Sequence, residues 1–143
     1  MPYVNKSALV PFSAEQMYQL VDNVNNYHKF LPWCSHSQEI EREESFVVGS
    51  VTISKGGVNK VFTTKNMLHK YSLIDIHLVD GPFKRLQGSW RFDPLKEDAC
   101  KVSLDLEYEF SSKLLGLVVG PVFNQVANTM VDSFVKQARV TYG

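Results

Sequence analysis

The chain has 143 residues, of which 44% are hydrophobic and 21% charged, and its 15 Lys plus Arg balance 15 Asp plus Glu. That length supports one domain, residues 1–143, burying about 70% of its unfolded surface. A net charge of zero excludes a protein whose whole surface grips nucleic acid, since such binding needs a basic footprint. The charge is unevenly spread: residues 45–91 hold seven Lys or Arg and two Asp, whereas residues 39–44 and 92–111 are acidic. Cys34 and Cys100 lie far apart in no metal-like spacing and read as free thiols in a reducing compartment. The first residues lack the apolar run of a secretory leader. The longest apolar stretch, residues 114–123, falls short of the ~20 residues a bilayer requires. A cytoplasmic protein with no transmembrane segment is expected.

In chain order, residues 3–10 predict a strand, ended by Pro11. Ser13-Ala14-Glu15-Gln16 is a capping-box pattern that opens a short helix bearing Met17, Tyr18, Leu20 and Val21. Residues 23–26 break it, and Val24, Tyr27 and Phe30 mark a second short turn of helix. Leu31-Pro32-Trp33-Cys34 leaves as a loop, with Leu31 held extended by the proline after it. Strands then read at 35–43, 46–54, 58–69, 71–80, 85–93 and 100–110. Lys55-Gly56-Gly57 is a hairpin turn, Gly81-Pro82 a break, and residues 94–99 a turn.

The last strand alternates cleanly, with Val102, Leu104, Leu106, Tyr108 and Phe110 on one face and Lys101, Ser103, Asp105, Glu107 and Glu109 on the other. Pairing it with residues 85–93 in one register sets Arg85 against Glu109 and Asp93 against Lys101 outside, and Leu86 against Tyr108 and Trp90 against Leu104 inside. Gly88 then faces Leu106, where it leaves space or lets the strand bend. A long helix follows, with Phe123, Val126, Ala127, Met130, Val131, Phe134, Val135 and Ala138 stepping by three and four. Ser111 or Ser112 caps it. Pro121 predicts a first piece to about Val119 and a restart into a main piece reaching Tyr142. A one-faced sheet delivered straight onto such a helix must curl around it, and the curl can leave a hollow.

No catalytic constellation stands out. His28, His36, His69 and His77 have no metal-ligand spacing on a helix face, and no metal is expected. Asp75 and His77 share the polar face of a strand and read as solvated. Cys34 and His36 read as a small residue and a loop histidine, not a nucleophile pair. Lys55-Gly56-Gly57 is too short to cradle phosphates.

Two segments resemble something known. One is Ser13-Ala14-Glu15-Gln16-Met17-Tyr18 with Tyr27-His28-Lys29-Phe30-Leu31-Pro32-Trp33-Cys34; the other runs from Asp80-Gly81-Pro82-Phe83 through Gly88-Ser89-Trp90 to Pro94-Leu95. Together they resemble the coenzyme Q-binding START-domain family, within the polyketide cyclase or SRPBCC-like group, and in it the bacterial ribosome-association toxin branch. The resemblance spans Tyr3 to Tyr142. His28 departs from it, standing where the family carries proline. The resemblance implies an α+β helix-grip fold of START or Bet v 1 type: a curved antiparallel sheet of about seven strands around a long C-terminal helix, with two short helices after the first strand. It implies a hydrophobic cavity, tied to ubiquinone in the mitochondrial branch. It also implies, for the bacterial branch, binding to the large ribosomal subunit that blocks assembly of whole ribosomes, as the toxin of a pair with a small antitoxin protein.

Three functions are weighed on the residues. A non-catalytic cavity protein for ubiquinone or a similar isoprenoid lipid, supporting quinone function and needing no cofactor, is the leading reading. Its walls are sought in Phe62, Ile76, Leu78, Leu86, Trp90, Leu104, Tyr108, Met130 and Phe134, with Tyr108 offering a hydroxyl to a quinone carbonyl. Its mouth is sought at Phe30, Leu31, Trp33 and Phe83. The same side chains also suit a dry core, and the resemblance favours the hollow. The alternative is the ribosome role, met by Lys55, Lys60, Lys65 and Lys84, although strand alternation sets Lys60 and Lys65 on opposite faces. A cyclase or dehydratase is third, because the Asp and Glu of the clear strands lie on the polar side.

Overall fold

Alternating side chains along seven segments, and a three-and-four spacing along the last, produce the elements of the computed structural model, which describes residues 2–143. In chain order these are β1 (Tyr3–Val10), α1 (Ala14–Asp22), a 3₁₀ turn (Val24–Asn26), α2 (Tyr27–Phe30), β2 (Cys34–Arg42), β3 (Phe46–Lys55), β4 (Val58–His69), β5 (Leu73–Asp80), β6 (Phe83–Lys96), β7 (Ala99–Phe110) and α3 (Lys113–Tyr142). The strands form one antiparallel sheet in the order β1-β7-β6-β5-β4-β3-β2. The two edge strands, β1 and β2, are joined by α1 and α2, so the short helices bridge the open side of the curl. This is the expected α+β helix-grip arrangement, a curved antiparallel sheet around a long C-terminal helix.

Local chemistry explains the joints. The Gln16 amide donates to Ser13 Oγ at 3.1 Å, and the Ser13 amide donates to Gln16 Oε1 at 3.0 Å, closing the capping box on α1. Gly56 and Gly57 turn the β3–β4 hairpin with φ of 58° and 81°, a left-handed pair that other residues resist. Ser112 caps α3 by accepting from the Leu115 amide at 3.1 Å. The Ser111 amide donates to the Pro82 carbonyl at 3.0 Å, tying the start of α3 to the β5–β6 turn.

The β6–β7 register is the expected one: Arg85 faces Glu109, Leu86 faces Tyr108, Gly88 faces Leu106, Trp90 faces Leu104 and Asp93 faces Lys101. The ion pairs differ from that register. Arg85 reaches diagonally to Glu107 at 3.8 Å, and Lys84 takes Glu109 at 3.6 Å, because long exposed side chains lean along the strand. Strands β6 and β7 extend through Lys96 and back from Ala99, so the expected 94–99 turn shrinks to its tip; Pro94 is tolerated within β6 beside a register shift.

Helix α3 does not restart at Pro121. It is continuous from Lys113 to Tyr142, with the proline inside. Pro121 and Leu117 both face outward, so the carbonyl that loses its partner is left to water. The inner side of α3, from Phe123 through Val126 and Phe134 to Ala138, is buried against the sheet together with Phe92, Cys100 and Val102. By length and composition alone α3 could cross a membrane, although the ten-residue stretch within it could not. In this fold its inner side is the gripped core.

Candidate functional site

The helix lies mainly against β1 and β7 and touches β4 lightly, so it leaves the inner face of the middle strands incompletely covered. The result is an apolar hollow. Leu86 and Trp90 of β6, Leu104 and Leu106 of β7, and Ile76 of β5 form its floor. Phe62, Thr64 and Asn66 of β4, with Gly49 and Val51 of β3, form one wall. Phe123, Val126, Ala127 and Met130 of α3 form the roof, and Val24, Tyr27 and Trp33 close the side beneath the short helices. The hollow admits the centres of water-sized spheres over about 80 Å³, inside an envelope of about 720 Å³ that runs to solvent. At 10–15 Å³ per water on that measure, it holds roughly half a dozen waters.

The polar groups on this wall are few. Thr64 Oγ1 donates to Asn66 Oδ1 at 3.0 Å. The Tyr27 hydroxyl donates to the Val21 carbonyl, and burial raises its pKa far beyond the usual phenol range. Trp33, 3% exposed, has an indole N–H with no hydrogen-bond partner among the described residues. Among the described residues, no carboxylate, imidazole or ammonium group lines the hollow. Such a wall holds an apolar molecule and can offer it a hydrogen-bond donor; it presents no group poised to transfer a proton at neutral pH.

Among the expected wall residues, Phe62, Ile76, Leu86, Trp90, Leu104 and Met130 meet around the hollow, and Leu78, Tyr108 and Phe134 do not line it. Leu78 packs half-buried at the edge of the core, on the last residues of β5. Tyr108 donates its hydroxyl to Asn124 Oδ1 and stacks edge-on against Phe123 at 4.7 Å, so its hydroxyl is already engaged. Phe134 sits where α3 meets α2, with Tyr27 and Phe30 each 5.3 Å from it and Trp90 at 5.2 Å. That aromatic cluster plugs the hollow's end. The expected mouth residues are packed: Leu31 and Phe83 are buried, Trp33 is on the wall, and Phe30 leans on Phe134. Thr64 and Asn66 were missed, although they follow Phe62 at the period-two spacing that puts them on its face.

Other candidates disperse. Cys34 Sγ donates to the His36 carbonyl at 3.3 Å, and burial raises its thiol pKa, which keeps it from acting as a thiolate. Asp75 faces His69 at 3.5 Å on the surface. Of the lysines, Lys55, Lys60 and Lys84 are exposed, and Lys65 lies over the Phe46 ring at 4.2 Å, away from them.

The family described as polyketide cyclase/dehydrase and lipid transport matches residues 10–135. The ribosome association toxin RatA of Vibrio cholerae is 51% identical across 100% of this chain and 99% of its own. The mitochondrial coenzyme Q-binding protein COQ10 homolog B of Xenopus laevis is 32% identical across 97% of this chain and 59% of its own. A START superfamily protein of Mycobacterium smegmatis superposes with a TM-score of 0.81 at 19% identity, over 97% of this chain and 98% of its own, which establishes the shared fold. The chain therefore belongs to the polyketide cyclase/dehydrase and lipid transport family, and within it to the branch that includes the RatA proteins.

Proposed function

We propose that this protein associates with ribosomes in the cytoplasm, acting without catalysis on the large subunit to hinder assembly of whole ribosomes, with a small antitoxin protein as its counterpart. One observation carries the reading: 51% identity to a ribosome association toxin runs end to end in both chains, whereas the coenzyme Q-binding relative reaches 32% and is spanned over 59% of its length. Exposed Lys55, Lys60 and Lys84 are the proposed phosphate contacts; Lys65 is drawn onto Phe46 and stands apart. Sedimentation through sucrose gradients tests it. The purified protein is expected to travel with large subunits, to lower the whole-ribosome peak, and to be released as salt rises from about 50 to 200 mM. Alanine at the three lysines should weaken the association by about ten-fold or more. Protein that stays at the top of the gradient at low salt would refute the reading.

The hollow supports a second role in the same molecule, uptake of an isoprenoid quinone or similar lipid. Its apolar walls and the coenzyme Q-binding relative favour that role.

A further inference from the structure

Residues 114–123 of α3 read Leu-Leu-Gly-Leu-Val-Val-Gly-Pro-Val-Phe, ten residues without a polar side chain. A helix that is apolar all round belongs in a core or in lipid. Only its inner side is covered here. Val119 and Phe123 are buried, whereas Leu114 is 70% exposed, Leu117 74% and Val118 57%, and Pro121 is exposed one turn on. The outer stripe 114-117-118-121 runs about 12 Å along the helix and ends where Asn124 and Gln125 turn the surface polar.

The charges around the stripe choose its partner. From residue 110 to 131 the chain has no Asp or Glu, and its one charge is Lys113 in the first turn of α3. Lys55 stands beside the stripe, since the β3–β4 turn packs against α3: a Cβ on Gly56 would meet Val122 Cγ2 at 3.5 Å. Lys84 is no part of this rim, since it pairs with Glu109 on the outer face of the sheet while its neighbour Phe83 is buried and stacks on Phe110 at 5.0 Å. The nearby acids are Glu109, paired with Lys84 at 3.6 Å, and Asp80, whose carboxylate accepts the Gly81 amide at 3.0 Å. A second copy of the chain, paired about a two-fold axis through this stripe, would set two positively charged, acid-poor surfaces against each other. A nucleic acid offers phosphate to the lysines but no hydrocarbon to the leucines. An anionic bilayer offers both, at the 5–10 Å depth an interfacial helix reaches.

We infer that the first two turns of α3, rimmed by Lys55 and Lys113, dock on the surface of an anionic lipid bilayer. The surface shares Lys55 with the proposed ribosome contacts and adjoins the hollow through Phe123, but Leu117 and Lys113 belong to it alone. Vesicle flotation tests it. The intact protein is expected to float with phosphatidylcholine vesicles containing about a third phosphatidylglycerol, several-fold less with phosphatidylcholine alone, and less again at about 500 mM salt. Leu117→Asp, at an exposed position that leaves the core untouched, should cut flotation about ten-fold with an unchanged thermal melt. Lys113→Glu should weaken binding to the anionic vesicles and leave the phosphatidylcholine background alone. Flotation absent from the parent protein, or unchanged in Leu117→Asp, would overturn the inference. So would a dimer that Leu117→Asp dissociates, or ribosome sedimentation that Leu117→Asp abolishes while flotation persists.

Discussion

A Cβ placed on Gly88 would stand 2.0 Å from the Asp105 carbonyl oxygen and 2.9 Å from the Leu106 Cα. The strand-interior glycine was legible as a bend or a gap, and the structure shows it to be a close approach of two backbones. Gly88→Ala is expected to prise β6 from β7 and cost about 3 kcal/mol or more in urea unfolding, at the top of the overpacking range. Gly57→Ala, with φ of 81° and nothing within 4 Å, should cost only about 1 kcal/mol through its backbone conformation. Cys100 is the second residue with a measurable signature. It is fully buried, and burial, aided by the charge of Asp93, raises its pKa from 9.0 to about 11. The folded state therefore keeps a proton that the unfolded state releases between those values. Stability should fall as pH rises from 9 to 11 and be insensitive to this thiol below 9. Cys100→Ala should flatten that part of a pH series of melts; an equal slope in both proteins would assign the effect elsewhere.

At the scale of elements, the β6–β7 hairpin was legible because period-two alternation and opposite charges constrain register twice over. The capping boundaries of α1 and α3 were legible for a similar reason, since a serine hydroxyl meets an orphan amide in a fixed local geometry. Pro121 was not. Whether a proline ends a helix depends on where the abandoned carbonyl points, and packing of α3 against β1 and β7 turns it to solvent. Pro121→Ala should restore one backbone hydrogen bond and raise stability by about 1 kcal/mol, less than the ~3 kcal/mol of a buried site because water already meets the carbonyl. A lower melting temperature in that variant would show that the ring contributes more than the bond it removes.

For the whole molecule, the question is how a curved sheet and one helix share their apolar surface. Both tryptophans of the chain, Trp33 and Trp90, face the hollow. A short-chain prenylated benzoquinone is therefore expected to quench the intrinsic fluorescence saturably and to raise the melting temperature with its concentration. Trp33→Phe should leave only the Trp90 share of the quenching. Quenching that rises linearly and matches that of free tryptophan would leave the hollow without this ligand.

The amino-acid order alone settled most of the elements, their sequence and the β3–β4 and β6–β7 pairings, because alternation, capping and turn chemistry act over a few neighbouring residues. Six of its nine expected wall residues, Phe62, Ile76, Leu86, Trp90, Leu104 and Met130, line the hollow, and all point inward by period. Only the folded chain decided which inward side chains border empty space. Tyr108 and Phe134 point inward too, but the path of α3 across the sheet presses them into ring clusters, while the same path leaves Thr64 and Asn66 uncovered. Inwardness is a property of one strand or helix. Emptiness depends on the distance between two of them, and that distance is set by the summed packing of side chains far apart in the chain.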